Sequence, residues 1–425
     1  MQGIPTSEVS PLSFPFPQAV PILDRLIEAG FEAYVVGGAI RDYLLGRPVH
    51  DVDIATSAVP HEVVRLFRHT VPIGIRHGTV AVIHRGKNFE VTTFRSESRY
   101  DDYRHPNEVR FEKSLEKDLM RRDFTINALA MAHDGTLIDP FGGRRDIANR
   151  RIRTVGEASA RIAEDPLRMM RGIRFVSELD FSLGAGEEKA FASQAPMLRH
   201  ISVERIDQEM TRLLDGPAVA AALRLLYRTQ CLNALPLLES AQGERTFDTV
   251  CFDRLTSNAE RWTVFLISAV PALKTADFAR AWNWSGRRRK TVEAIRRALF
   301  FRESRPWNRY ALYRTGPDVA ESAERVHAAV ECASSDQLTT QIKRIQQLWD
   351  SCAIKQRGDL AAGARQFMEW SDTPPGPWLA ETIASLEKDV IDGVVPNQRE
   401  AIAGWFKANP VSYTHLRAHE TLRHL

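Results

Sequence analysis

Over residues 18–30 the apolar positions of QAVPILDRLIEAG recur three and four apart and the segment closes on glycine, which predicts an amphipathic helix. The period then shortens. EAYVVGG reads as a short apolar strand ending at Gly37 and Gly38, AIRDYLLG as a helix stopped by Gly46, and VDIAT as the next strand. PHEVVRLFRHT follows as a helix with Pro60 in its first turn, and GTVAVIHR and NFEVTTFR alternate as strands joined by a turn at Gly86. From about Asp146 onward the strand signals cease, and helix-length patterns such as PLRMMRGIRFVSEL, VERIDQEMTRLL and AVAAALRLLYRT take over. Breaks at LLDGP (213–217) and YRTGPD (313–318) divide the helical part. The expected fold is α+β: a small mixed sheet with helices over 1–140, then all-helical parts over 141–214, 215–325 and 326–410.

The final segment, VSYTHLRAHETLRHL (411–425), does not continue the helical pattern before it and holds three of the twelve histidines. It is similar to translated sequencing-adapter read-through and is set aside as non-native. At 425 residues with 44% hydrophobic content the rest has ample core-forming material. The opening residues carry no basic stretch followed by an apolar run, and no stretch of about 18 apolar residues occurs, so a soluble, non-secreted protein with no membrane partner is expected. Four scattered cysteines without a C-x-x-C pair argue against a zinc site or a disulfide framework and for a cytoplasmic setting.

Net charge is only +3, but its distribution is uneven. Between Arg280 and Arg314 a dense run of Arg and Lys is opposed only by Glu293 and Glu303, with Trp282, Trp284, Phe300, Phe301, Trp307, Tyr310 and Tyr313 interleaved. Basic charge among aromatics is a nucleic-acid footprint, although each of these residues alone reads equally well as core or solvated face.

The chemistry concentrates in VGGAIRDYLLGRPVHDVDIAT. A strand period of two puts Asp51 and Asp53 on one side, where two ionised carboxylates repel unless a cation sits between them. Magnesium, a hard cation held by carboxylates and substrate phosphates, suits that pair. A D-x-D alone is usually a solvated strand end, but here Gly37 and Gly38 precede it at a strand-to-helix turn, where backbone N–H groups can approach phosphate, and Arg41 can add a fork.

This string resembles the signature of the nucleotidyltransferase superfamily that includes DNA polymerase beta, specifically the class II branch of bacterial poly(A) polymerases and tRNA CCA-adding enzymes. The resemblance implies a polymerase-beta-like head over 1–140, a nucleotide-selecting neck over 141–214, and a tRNA-binding body and tail over 215–325 and 326–410. It implies Asp51 and Asp53 as ligands of Mg2+, with Glu90 in NFEVTTFR as the third catalytic carboxylate. RRDFTINALA resembles the branch's second motif, so Arg122, and with it Asp123, is expected at the nucleotide's sugar and phosphate. DPFGGRRDIANRRIRTVG resembles the connector from head to neck.

EDPLRMMRGIRF bears on substrate choice. Asp165, Arg168, Arg171 and Arg174 recur every third residue and are expected as neighbours along one helix. Asp165 can accept from an exocyclic amine while Arg168 donates to the adjacent ring nitrogen, a pattern that cytosine and adenine satisfy and uracil and guanine do not. In the branch this motif is the protein template for CTP and ATP, and Arg171 and Arg174 then help to hold the nucleotide and the helix. Pro166 stands where alanine is common and is expected to have little effect.

The segment IGIRHGT resembles the Bacillus-type CCA-adding form, and SRYDDYRHPNEVRF resembles a loop that CC-only enzymes lack. The expected activity is template-independent CCA addition to the tRNA 3′ end by a monomer or homodimer. A-only addition and poly(A) synthesis in the same branch, a catalytically silent tRNA-binding protein, and nucleotidyl transfer to a small molecule are the alternatives.

Overall fold

A computed structural model describes residues 14–100, 106–241, 246–371 and 374–409. The leader 1–13, the tip 101–105 of the SRYDDYRHPNEVRF segment and the terminal stretch 410–425 lie outside the described residues. The chain divides into two compact units, one comprising Met1–Asp248 and Phe265–Trp284, the other Thr249–Val264 and Ser285–Leu425.

The first unit opens with helix α1 (Val20–Glu28), strand β1 (Ala33–Val36), α2 (Gly38–Leu44), β2 (Asp53–Thr56) and α3 (Pro60–Leu66). Strands β3 (Thr70–Gly74), β4 (Thr79–His84), β5 (Lys87–Thr93), β6 (Arg95–Tyr100) and β7 (Pro106–Phe111) follow, then α4 (Leu115–Met120), β8 (Ala130–Met131) and β9 (Leu137–Ile138). Seven strands form one sheet in the order β3-β4-β5-β2-β1-β8-β9, and β6 and β7 pair separately. All neighbours in the large sheet are antiparallel except β2 and β5, which run parallel with Ile54 opposite Val91. That register brings Asp53 and Glu90 to adjacent positions on neighbouring strands. Arg85 and Gly86 both take positive φ in the β4–β5 turn, the conformation a two-residue hairpin demands.

The helical part of this unit is α5 (Gly143–Ala148), α6 (Ala158–Glu164), α7 (Leu167–Leu179), α8 (Ala185–Gln194), α9 (Val203–Asp215) and α10 (Val219–Arg228). Two short strands, β10 (Arg151–Ile152) and β11 (Ser182–Leu183), pair in parallel within it, which corrects the expectation that strands end at Asp146. Two-residue strands carry no periodicity, so pattern reading passes over them. Helix α7 is buried along most of its length, and Gly172 allows this: a Cβ there would lie 3.0 Å from the rings of Phe124 and Phe191.

Helix α7 begins only after Pro166. Asp165 is extended at φ −140°, ψ 99°, and terminates α6, so it is not the first member of a helical stripe as the spacing predicts. The cause is steric: a proline ring disfavours helical geometry in the residue before it.

Beyond α11 (Asn258–Ala269) and α12 (Thr275–Ala281), the remaining helices are α13 (Gly286–Ser304), α14 (Arg309–Thr315), α15 (Pro317–Val330), α16 (Ser335–Asp350), α17 (Ala364–Ser371), α18 (Pro377–Ile391) and α19 (Arg399–Ala408). In the second unit Phe367, Trp378, Leu386, Val390, Ile402 and Phe406 build one core. Cys251 and Cys332 form a disulfide with Cα atoms 5.2 Å apart, overturning the expectation of none. A separation of 81 residues hid their proximity. Several aromatics of the basic run are core residues: Trp282 and Trp307 are buried and donate to Pro236 O and Glu324, whereas Phe300 is exposed. Among the described residues no helix is long and apolar enough to cross a membrane.

Candidate active site

One cavity of about 870 Å³ in the first unit gathers the predicted residues. Gly37, Gly38, Arg41, Asp51, Asp53, Arg122, Asp123, Asp165, Arg168, Arg171 and Arg174 all line it, joined by His50, His77, Arg95, Arg121 and Arg212. Glu90 is not among the lining residues, although it faces Asp53 electrostatically from the neighbouring strand.

Strand β2 begins at Asp53, with Asp51 in the segment just before it. Val52 between them is buried while both aspartates face the opening, so the shared face survives even though the strand starts later than predicted. Surrounding protein and the Glu90 carboxylate, and to a lesser degree Asp51, push the Asp53 carboxyl above its ordinary range, with Arg122 pulling the other way. The like charge gathered around Asp53 is of the kind that a cation relieves. Asp51 and Asp53 therefore fit a divalent metal. Among the described residues no group of three or more His, Cys, Asp or Glu closes on a metal-sized space, so Glu90 does not complete a cage with them.

At the head of α2, Gly37 adopts φ 77°, and a Cβ there would lie 3.0 Å from Nη1 of Arg122. Glycine is required both for the backbone and for the approach of that guanidinium. Arg41 is less free than its sequence position suggests. Its Nε and Nη2 donate to Asp42 and its Nη1 donates to Asn127 Oδ1 at 2.6 Å. The Nε of Arg122 is buried and meets no acceptor among the described residues.

Asp123 accepts from Arg171 Nε at 2.8 Å and Nη2 at 2.6 Å, from Asn127 Nδ2 at 3.1 Å and from the Phe124 N–H at 2.8 Å. Burial favours the neutral acid, but Arg171 and these donors outweigh it and hold the carboxyl well below the usual range. Arg174 is 1% exposed and clamped between Glu209 on α9 and Glu178 on α7.

Ahead of α7, Asp165 accepts from the Leu167 N–H and from Arg205 Nη2 at 2.9 Å. Sequence reasoning missed Arg205, whose i+40 position carries no local signal. Arg168 is buried and donates to Arg161 O, Glu164 Oε2 and Arg121 O. A guanidinium has five N–H bonds, and three of them are engaged by these described partners. Asp42 and Asn127, which orient Arg41, were likewise not singled out.

A glycine turn, a carboxylate pair at the head of one strand and a ring of arginines, set on a small mixed sheet, define a nucleotidyltransferase. Comparison with known proteins narrows the class. Residues 33–153 match the model of the poly(A) polymerase head domain, 180–242 that of a probable RNA- and SrmB-binding site of polymerase A, and 253–406 that of a tRNA nucleotidyltransferase domain 2. The chain is 41% identical to a CCA-adding enzyme of Bacillus cytotoxicus over 92% of this chain and 98% of that one. It is 44% identical to a CCA-adding enzyme of Geobacillus stearothermophilus over 92% and 96% respectively. A crystal structure of the Bacillus stearothermophilus CCA-adding enzyme in complex with CTP superposes with a TM-score of 0.86 at 42% identity, covering 96% of this chain and 99% of that one. The chain belongs to the CCA-adding enzyme family.

Proposed function

We propose that this site extends the tRNA 3′ end with C, C and A, taking CTP and ATP without a nucleic-acid template. The observation that carries the reading is that the glycine turn and the carboxylate pair line one cavity with the Asp165–Arg168 segment, which lies more than a hundred residues further along the chain. The tRNA 3′-oxygen attacks the α-phosphorus of the nucleotide, a new P–O bond forms, and the bond to the bridging oxygen breaks to release pyrophosphate. No covalent enzyme intermediate is needed.

Asp51 and Asp53 would hold Mg2+, which when bound activates the attacking hydroxyl and neutralises charge on the leaving group. Glu90 supports the pair by concentrating negative charge beside Asp53. Gly37 and Gly38 offer backbone N–H groups to the triphosphate, with Arg41 and Arg122 supplying positive charge around it. Asp165 accepts the exocyclic amine of cytosine or adenine, and a spare N–H of Arg168 donates to the ring nitrogen. Uracil and guanine would set a carbonyl oxygen against Asp165, and stranding a buried polar group in this way can discriminate by roughly 10⁴. Arg171 and Arg174 keep α7 aligned with the rest of the cavity. The body and tail carry the tRNA, with phosphate contacts that position it rather than read it. Such a substrate set points to the cytoplasm.

Substituting Asp53→Ala tests the assignment. Nucleotide incorporation should be lost while tRNA binding by gel shift persists; incorporation at the wild-type rate would overturn the metal-platform reading.

A further inference from the structure

Arg122 is expected at the nucleotide, and its side chain is held by a neighbour that lies outside the cavity. In the structure Asp118, on the last turn of α4, is completely buried. Its Oδ1 accepts from Arg121 Nε at 3.0 Å and Nη2 at 2.9 Å, and from the backbone N–H of Arg95 at 3.3 Å. Its Oδ2 accepts from Arg122 Nη2 at 3.1 Å. All three of these arginines line the nucleotide cavity, whereas Asp118 does not. One buried carboxylate therefore gathers three cavity residues, two by side chain and one by backbone.

The same short stretch reaches the base-selecting segment. Arg121 O accepts from Arg168 and Arg122 O accepts from Arg161, so the backbone that Asp118 anchors also receives two guanidinium groups from α6 and α7. Toward the carboxylate pair, Arg122 is the cation that counters the upward push on Asp53. Burial would make Asp118 a weaker acid, but Arg121 and Arg122 outweigh it and keep the group ionised. Isolated charge at such depth is costly, so the carboxylate persists only because its partners are fixed against it.

We propose that Asp118 is a positioning residue for nucleotidyl transfer, holding Arg121 and Arg122 in the orientation that receives the triphosphate. The inference rests on reading the cavity as the nucleotide site. It has a signature that separates it from simple charge balance. Replacing the carboxylate by an amide removes one negative charge beside the cavity; if Asp118 only neutralised its neighbours, the freed positive charge would tighten binding of a polyanion. A positioning role gives the opposite sign, because the arginines lose their aim.

The experiment is binding of CTP and of CMP to the full chain, wild type and Asp118→Asn, at fixed ionic strength, with thermal unfolding run alongside. Asp118→Glu, which keeps the charge, serves as the second variant. The account expects CTP affinity to fall about tenfold in Asp118→Asn, CMP affinity to fall about twofold or less, and Asp118→Glu to recover part of the loss. Unchanged or tighter CTP binding by a folded Asp118→Asn, or equal losses for CTP and CMP, would overturn it. If Asp118→Asn does not fold, the test passes to Asp118→Glu, where a loss of CTP affinity greater than that of CMP supports the role and wild-type affinity contradicts it. Failure of the wild-type chain to bind CTP would instead strike at the nucleotide reading itself.

Discussion

Arg171 on α7 forks onto Asp123, 48 residues earlier in the chain, with both Nε and Nη2 donating to Oδ2. This pair ties α7 to the loop that follows α4. Removing one partner of a buried pair costs about 3–5 kcal/mol, and Arg171 is partly open to solvent, so Arg171→Ala should lower unfolding stability by roughly 2–3 kcal/mol. Urea unfolding checks this; a change below about 0.5 kcal/mol would mean the pair is incidental.

The same pair sets a pH dependence. The folded carboxyl of Asp123 is held below its unfolded value near about 3.9, so its stabilisation is complete above that value and is lost as pH falls through the lower folded value. The stability gap between wild type and Arg171→Ala should be level from about pH 8 to 5 and narrow under more acid conditions, as followed by denaturant unfolding across pH. A gap that widens in acid would contradict the sign.

Gly37 combines a positive φ with the approach of Arg122. Gly37→Ala strains the turn and displaces the guanidinium, so the KM for CTP should rise about tenfold while the chain still folds, given a backbone cost of about 1–3 kcal/mol. Steady-state kinetics with circular dichroism would show it, and an unchanged KM would remove the turn from the nucleotide site.

Asp165 bears on base choice. Asp165→Ala removes the acceptor for the exocyclic amine and frees Arg205, so the preference for CTP over UTP should collapse by at least about a hundredfold. Competition assays with both nucleotides measure the ratio. A preserved ratio at reduced overall rate would assign Asp165 to structure alone.

Much of the cavity was legible in the sequence because its chemistry sits in contiguous strings. VGGAIRD, DVD and RRDF each carry their own local geometry, and the structure places Gly37, Arg41, Asp51, Asp53 and Arg122 together as those strings suggest. What escaped was of two kinds. Pro166 acts on the residue before it, so the regular spacing from Asp165 to Arg174 carried the helix two residues too far toward the N-terminus, over Asp165 and Pro166. Partners such as Arg205 for Asp165, Asp118 for the arginine pair, and Cys251 for Cys332 depend on tertiary proximity, which no period along the chain encodes. The basic run between Arg280 and Arg314 shows the converse error, since burial claims Trp282 and Trp307 that composition alone offers to RNA.

The most direct measurement is stepwise extension of a tRNA ending at the discriminator base, with each of the four nucleotides offered singly and then in pairs. The account predicts two additions with CTP alone, a third when ATP is also present, and none with UTP or GTP. Failure to incorporate CTP, or open-ended addition of A, would contradict it.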